Sequence, residues 1–172
     1  MTNLLDMDLE LNDDEMHLYS RQILLDGWDI EAQEKLKLAN VLIVGCGGIG
    51  CTSAELLARA GVGQITLIDA DTIEISNLQR QIAYVEENIG FYKSEILAKR
   101  LKQINPHIRI ESYSSKLDKS NAEQLISTQD LVLDGCDNFT TRYLVNQMCT
   151  QLNVPLISAS AIGFQGQLFM VE

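Results

Sequence analysis

Positive charge is scarce in this 172-residue chain: 13 Lys and Arg stand against 24 Asp and Glu, for a formal charge of -11. Residues 1–20 contain no Lys or Arg, only the acids Asp6, Asp8, Glu10, Asp13, Asp14 and Glu15. Such a surface repels nucleic acid and anionic membranes in general, so neither is an expected partner. Individual cations become informative in return, because any polyanionic ligand has to be met by a few of them placed locally. Residues 1–13 read as an acidic, flexible leader. Residues 14–172 read as one domain, long enough for a single well-buried core.

Cysteine is also sparse. Cys46, Cys51, Cys136 and Cys149 include no C-x-x-C pair, which argues against a structural zinc site, and no zinc is expected. They read as small hydrophobes of a reducing compartment. No apolar run approaches the roughly 20 residues that cross a bilayer, and the N-terminus has neither a basic region nor an apolar signal core. A cytoplasmic location is the resulting expectation. Proline occurs only at positions 106 and 155, and there is no internal repeat, low-complexity tract or Pro/Ser-rich linker.

What is present is a regular alternation of short apolar runs with amphipathic stretches, the pattern of a mostly parallel sheet covered by helices on both faces. Apolar spacing predicts helices over 14–26, 30–38, 49–60, 91–104, 121–127 and 138–152. Strands are expected over 40–44, 64–69, 108–113, 130–133, 155–159 and 166–171. The expected fold is α/β, a doubly wound Rossmann-like sheet preceded by an N-terminal helical segment. Its ligand belongs outside the C-terminal strand ends.

The first strand runs straight into residues 45–50 (GCGGIG), where a helix begins. Gly45, Gly47, Gly48 and Gly50 fit a turn that permits a sharp reversal, lets backbone approach a phosphate and lets the helix pack close to the strand. The helix start offers free N–H groups and a positive dipole end to an anion. Asp69 closes the second strand, where a carboxylate accepts hydrogen bonds from ribose hydroxyls. NAD, FAD and ATP all carry that ribose, so the turn by itself does not choose among them.

The choice rests on the loop beyond, residues 69–81 (DADTIEISNLQRQ). Asp71, Asn77 and Arg80 lie in it as candidate nucleotide contacts, and one helical turn would aim Asn77 and Arg80 at one ligand. Lys93 follows Gly90 near the start of the next helix. Two cations flanking a nucleotide cleft in so acidic a chain point to a polyphosphate. After the fourth strand come Asp134 and Asp137; either holds a divalent ion such as magnesium or caps the helix starting near Asn138.

These residues carry a resemblance to the MoeB/ThiF/HesA family, relatives of ubiquitin-activating enzymes. The matching segments are 19–25 (YSRQILL), the glycine turn, 60–63 (AGVG), Asp69 with Asp71 and Thr72, 76–81 (SNLQRQ), Gly90 with Lys93, 104–106 (INP), and Asp134 with Asp137 and Asn138. The resemblance implies ATP as the nucleotide, with ribose held at Asp69, phosphates at Asn77, Arg80 and Lys93, and magnesium at Asp137. It implies a homodimer in which Arg21 reaches into the partner's ATP site; the plain alternative makes Arg21 a surface helix residue. The implied reaction is adenylation of the C-terminal Gly-Gly carboxylate of a ubiquitin-like sulfur-carrier protein, of the molybdopterin or thiamine biosynthesis type, with release of pyrophosphate. The catalytic candidates are accordingly Arg21, Arg80, Lys93 and Asp137.

Members of that family usually continue well past the last expected strand, so a C-terminally short form is expected. Two rival readings remain at this stage. One is a non-catalytic nucleotide-binding fragment; the other is an NAD(P)-dependent oxidoreductase, which the Asn77, Arg80 and Lys93 set disfavours.

Overall fold

A computed structural model describes residues 10–172. The first part of the expected leader, residues 1–9, lies outside the described residues. Residues 10–13 are held in place. Asn12 caps α1 (Asp13–Leu18) in a reciprocal box with Glu15, and Lys37 Nζ reaches both the Glu10 carbonyl and the buried Glu15 carboxylate.

The single helix expected over 14–26 is interrupted. It ends at Leu18, and a short second helix, α2 (Ser20–Ile23), follows. Tyr19 between them is buried, and its hydroxyl accepts a 2.7 Å hydrogen bond from Asn105 Nδ2. Seating that ring and hydroxyl takes precedence over continuing the helix. The third helix, α3 (Ile30–Leu38), leads into the sheet.

Six strands follow: β1 (Asn40–Val44), β2 (Gln64–Ile68), β3 (Arg109–Tyr113), β4 (Leu131–Asp134), β5 (Leu156–Ile162) and β6 (Gln165–Val171). They are ordered β3-β2-β1-β4-β5-β6. The first five pair in parallel and β6 closes the edge antiparallel to β5. The crossovers are α4 (Gly48–Ala60), α5 (Lys93–Ile104), α6 (Ala122–Ile126) and α7 (Phe139–Leu152). The expected doubly wound α/β fold is therefore present.

Alternation along the strands explains the two-sided core. Val41 and Ile43 of β1 join Ile65, Leu67, Ala54, Ala58, Leu97 and Leu101 under α4 and α5. Leu42 and Val44 join Ile68, Val132, Ile126, Val145 and Leu156 under α6 and α7. With side chains pointing alternately to opposite faces, a strand apolar at every position must be covered on both.

The sheet order reverses between β1 and β4, which opens a crevice at their C-terminal ends. Helix α4 begins at that crevice and ends roughly 20 Å away, given its 13 residues. Its far end stops at Gly61, whose φ of 90° is the left-handed conformation that glycine adopts at least cost.

Candidate nucleotide site

Three loops leave the sheet at one level. The Gly45 amide donates to Ile68 O at 3.0 Å, the Gly135 amide to Val44 O at 2.9 Å and the Asp69 amide to Tyr113 O at 3.1 Å, so the ladders extend one residue past each strand. The loops after β1 and β4 then pack backbone on backbone. A methyl group on Gly45 would stand 3.1 Å from Gly135 and Cys136 main-chain atoms, and one on Gly50 would stand 1.8 Å from Gly45 O. Only glycine fits at positions 45 and 50, whereas a side chain at Gly47 or Gly48 would meet nothing closer than 3.6 Å.

The first i→i−4 bond of α4 runs from Cys51 N to Gly47 O. The N–H groups of Gly48, Ile49 and Gly50 therefore have no acceptor within the helix and stand ready for an anion. Asp69 fixes the loop from the side. Its Oδ2 accepts from the Cys46 amide at 2.6 Å and its Oδ1 from the Asp71 amide at 2.7 Å. Burial pushes its carboxyl above the ordinary carboxylate range, opposed by those two amide hydrogen bonds. From below, Tyr84 donates its hydroxyl to Cys46 O at 2.7 Å.

Arg80 borders the helix start: a methyl on Gly48 would stand 3.8 Å from its side chain. Its Nη1 donates to Ser76 O at 2.9 Å and the residue is exposed. Lys93 is the first residue of α5, is 6% exposed, and pairs with Asp71 Oδ2 at 3.0 Å. Thus Asp71, expected to bind nucleotide, is the counter-ion of Lys93. An ammonium at a positive helix end requires such a partner.

Asn77 departs from expectation. The stretch Ile75–Asn77 is a 3-10 turn, and Asn77 is buried with its Oδ1 accepting the Glu74 amide at 3.0 Å. It shapes the loop that presents Arg80, rather than projecting beside it from one α-helical turn. Gln81 belongs to the site although the sequence reading gave it no role. It is 2% exposed, lies 3.8 Å from where a Gly47 methyl would be, and its Oε1 has no partner among the described residues. Its place in the 76–81 segment was the available signal.

Across the crevice, Asp137 is exposed and makes no hydrogen bond or ion pair among the described residues. Asp134 neither faces solvent nor caps α7. Asn138 performs the capping, accepting from the Thr141 amide at 2.9 Å. Asp134 is 1% exposed and is bound to Ser158, the Cys136 amide and Arg142. Burial first, and then Asp134, push the Cys136 thiol up to about 12, so it carries almost no thiolate at neutral pH.

Arg21 is exposed on α2 and lies at the opposite end of α4. Its neighbour Gln22 donates to Ala60 O, the last residue of the helix, at 2.8 Å. Roughly 20 Å of helix separates that point from the glycine turn. The fold does not bring Arg21 to the site of its own chain.

Comparison with known proteins bears on the family and the fold. A family model described as ThiF family matches residues 19–172. The chain is 48% identical over 159 residues to the molybdopterin-synthase adenylyltransferase of Salmonella typhimurium, covering 92% of this chain and 64% of that protein. It is 44% identical over 161 residues to the sulfur carrier protein ThiS adenylyltransferase of Escherichia coli, covering 94% and 64%. Among solved structures, the E. coli tRNA N6-threonylcarbamoyladenosine dehydratase TcdA in complex with ATP superposes with a TM-score of 0.83 at 30% identity, covering 90% of this chain and 63% of that one. The chain spans just under two thirds of the length of the molybdopterin-synthase relatives it matches.

Proposed function

We propose, on the premise that this chain belongs to the ThiF family, that it binds ATP and adenylates the C-terminal glycine carboxylate of a ubiquitin-like sulfur-carrier protein. The observation that carries the reading is the convergence of free α4 amides, Arg80 and Lys93 on one crevice edge. Relatives named for adenylating molybdopterin synthase and the sulfur carrier ThiS support the substrate class, and a structural neighbour in complex with ATP supports the nucleotide.

In this reading the triphosphate rests on the N–H groups of Gly48, Ile49 and Gly50, and Asp69 receives the ribose hydroxyls. The carrier's carboxylate attacks the α-phosphorus. The bond from that phosphorus to the bridging oxygen breaks, giving an acyl-adenylate and pyrophosphate. The carboxylate is already ionised, so the protein supplies no base. Arg80 and Lys93 offset the charge that gathers on the phosphoryl oxygens, where placed cations act most strongly.

Magnesium suits the chemistry of the donors. Asp137 is a hard oxygen ligand with no competing partner among the described residues. Among the described residues, no three His, Cys, Asp or Glu side chains are grouped to hold a metal alone. One carboxylate completed by phosphate oxygens is the usual magnesium arrangement. When bound, the ion neutralises triphosphate charge and assists departure of pyrophosphate.

Arg21 lies too far from its own glycine turn to serve it, and the proposal assigns its side chain to the partner's site in a homodimer. A cytoplasmic setting fits four cysteines that are all free and buried.

Exchange of pyrophosphate into ATP, dependent on a carrier ending in Gly-Gly, tests the proposal. Arg80→Ala and Asp137→Ala should each lower exchange by roughly 100-fold or more with unfolding midpoints unchanged; wild-type exchange in both would refute the site. Mixing inactive Arg21→Ala and Asp137→Ala chains should restore part of the activity, because a mixed dimer holds one intact site. No recovery on mixing would count against action across a dimer.

A further inference from the structure

An ion pair between the buried Asp134 and the part-buried Arg142 stands directly behind the exposed Asp137 turn. Asp134, at the end of β4, accepts from the Cys136 amide through Oδ1 at 3.0 Å and from Ser158 Oγ through Oδ2 at 2.7 Å. Arg142, from the first turns of α7, places Nε 3.0 Å from Asp134 Oδ2, an ionic contact out of line for a hydrogen bond. Its Nη2 donates to Cys136 O at 2.7 Å and to Ala159 O at 3.1 Å. Both main-chain polar groups of Cys136 are thereby held by the two members of one ion pair, the N–H by the carboxylate and the C=O by the guanidinium.

The turn is constrained on its other side as well. Gly135 packs against Gly50, where an added methyl would lie 3.2 Å from the Gly50 amide nitrogen. The residue immediately after the clamped peptide is Asp137, whose carboxylate is exposed and unpartnered among the described residues. A carboxylate buried as Asp134 is, beside a largely covered guanidinium, is expensive to desolvate, and an apolar pair of similar volume often stabilises a fold as well or better. What an apolar pair cannot do is grip a peptide from both ends.

We propose that Arg142, with Asp134, is a positioning residue that fixes the 135–138 turn so that the Asp137 carboxylate is preset for a divalent ion on bound triphosphate. The inference rests on the nucleotide-site reading above. Lysine at position 142 keeps the charge but, as a single ammonium on a flexible stem, it cannot span Asp134, Cys136 O and Ala159 O together. Partners standing behind a metal ligand typically change metal affinity by roughly 10-fold to 100-fold when altered.

The test measures binding and not turnover. ATP affinity of the 172-residue chain is titrated by calorimetry with and without magnesium, for wild type, Arg142→Lys, Asp134→Asn, Asp137→Ala and the double variant Arg142→Lys/Asp137→Ala. The expected result is a rise of roughly 10-fold or more in the half-saturating magnesium concentration for Arg142→Lys and Asp134→Asn, with metal-free ATP affinity unchanged. In the Asp137→Ala background, Arg142→Lys should add nothing. Amide exchange at Cys136 and Asp137 in the nucleotide-free protein should accelerate in Arg142→Lys. If Asp137→Ala leaves the magnesium dependence intact, the site reading itself fails. If Asp137→Ala abolishes that dependence while Arg142→Lys does not shift it, or shifts it additively, Arg142 is only a structural tie and the proposal is overturned.

Discussion

The two ends of α4 treat their polar groups in opposite ways. At the C-terminal end, the orphan carbonyls are all but enclosed by partners: Ala58 O accepts from Asn105, and Ala60 O accepts from both Gln22 and Gln33. Trp28 and Tyr19 complete that network. At the N-terminal end, three amides lack intrahelical acceptors, and the side-chain Oε1 of Gln81 is buried without a partner among the described residues. Asp69 there is held with its carboxyl group shifted by burial. A buried polar group left unmade costs stability, so the saturated end serves the fold, and the unsaturated end fits the role proposed for it as nucleotide receptor.

The largest expected effect breaks the saturated end. An alanine methyl at Gly61 would meet the Tyr19 ring at 2.6 Å and Gln33 Nε2 at 2.7 Å, on a backbone with φ of 90°. Gly61→Ala should destabilise by roughly 3 kcal/mol or more, read from urea unfolding. Under conditions where the variant remains folded, its ATP affinity should match wild type; a large loss of affinity would erase the division between the two ends.

Gly50→Ala is the counterpart at the open end. Its methyl would overlap Gly45 O and force the glycine turn apart. ATP affinity of the folded fraction should fall by about 100-fold, alongside a loss of roughly 3 kcal/mol or more in unfolding free energy. Equal proportional losses in both would mean that the turn is scaffold and not receptor.

The smallest effect concerns pH. Asp69 has its folded-state pKa raised above the ordinary 3.8, chiefly by burial. Its contribution to stability is therefore fully present below 3.8 and is lost as pH rises through the folded value. The stability of wild type relative to Asp69→Asn should decline across that window and be flat on either side. A decline in the opposite direction would show that the amides of Cys46 and Asp71 outweigh burial, and that the carboxylate is not held at a cost.

Much of this was legible in the chain itself. Strand β1 and helix α3 fall where the apolar spacing predicted, and the glycine turn and Gly61 stop carry their meaning in local sequence. Other features were legible only as residue types. Asp71 read as a nucleotide contact, and its pairing with Lys93 was not legible. Asp134 looked like a cap or metal ligand, yet it is buried against Ser158 and Arg142. Asn77 looked paired with Arg80 and instead folds back on Glu74. Arg142 and Gln81 drew no attention, since neither an arginine nor a glutamine announces what it will grip.

The boundary between the two kinds of knowledge has a physical cause. Helix and strand periodicity, glycine turns and helix ends depend on backbone sterics over a few residues, so the sequence by itself determined the doubly wound fold and an anion-ready helix start. Whether a charged or polar side chain is free or already satisfied depends on partners brought close only by the completed sheet: Tyr19 with Asn105, Asp134 with Ser158, and Gln22 with Ala60. The tertiary structure alone decided that, because desolvation and pairing act through space and not along the chain.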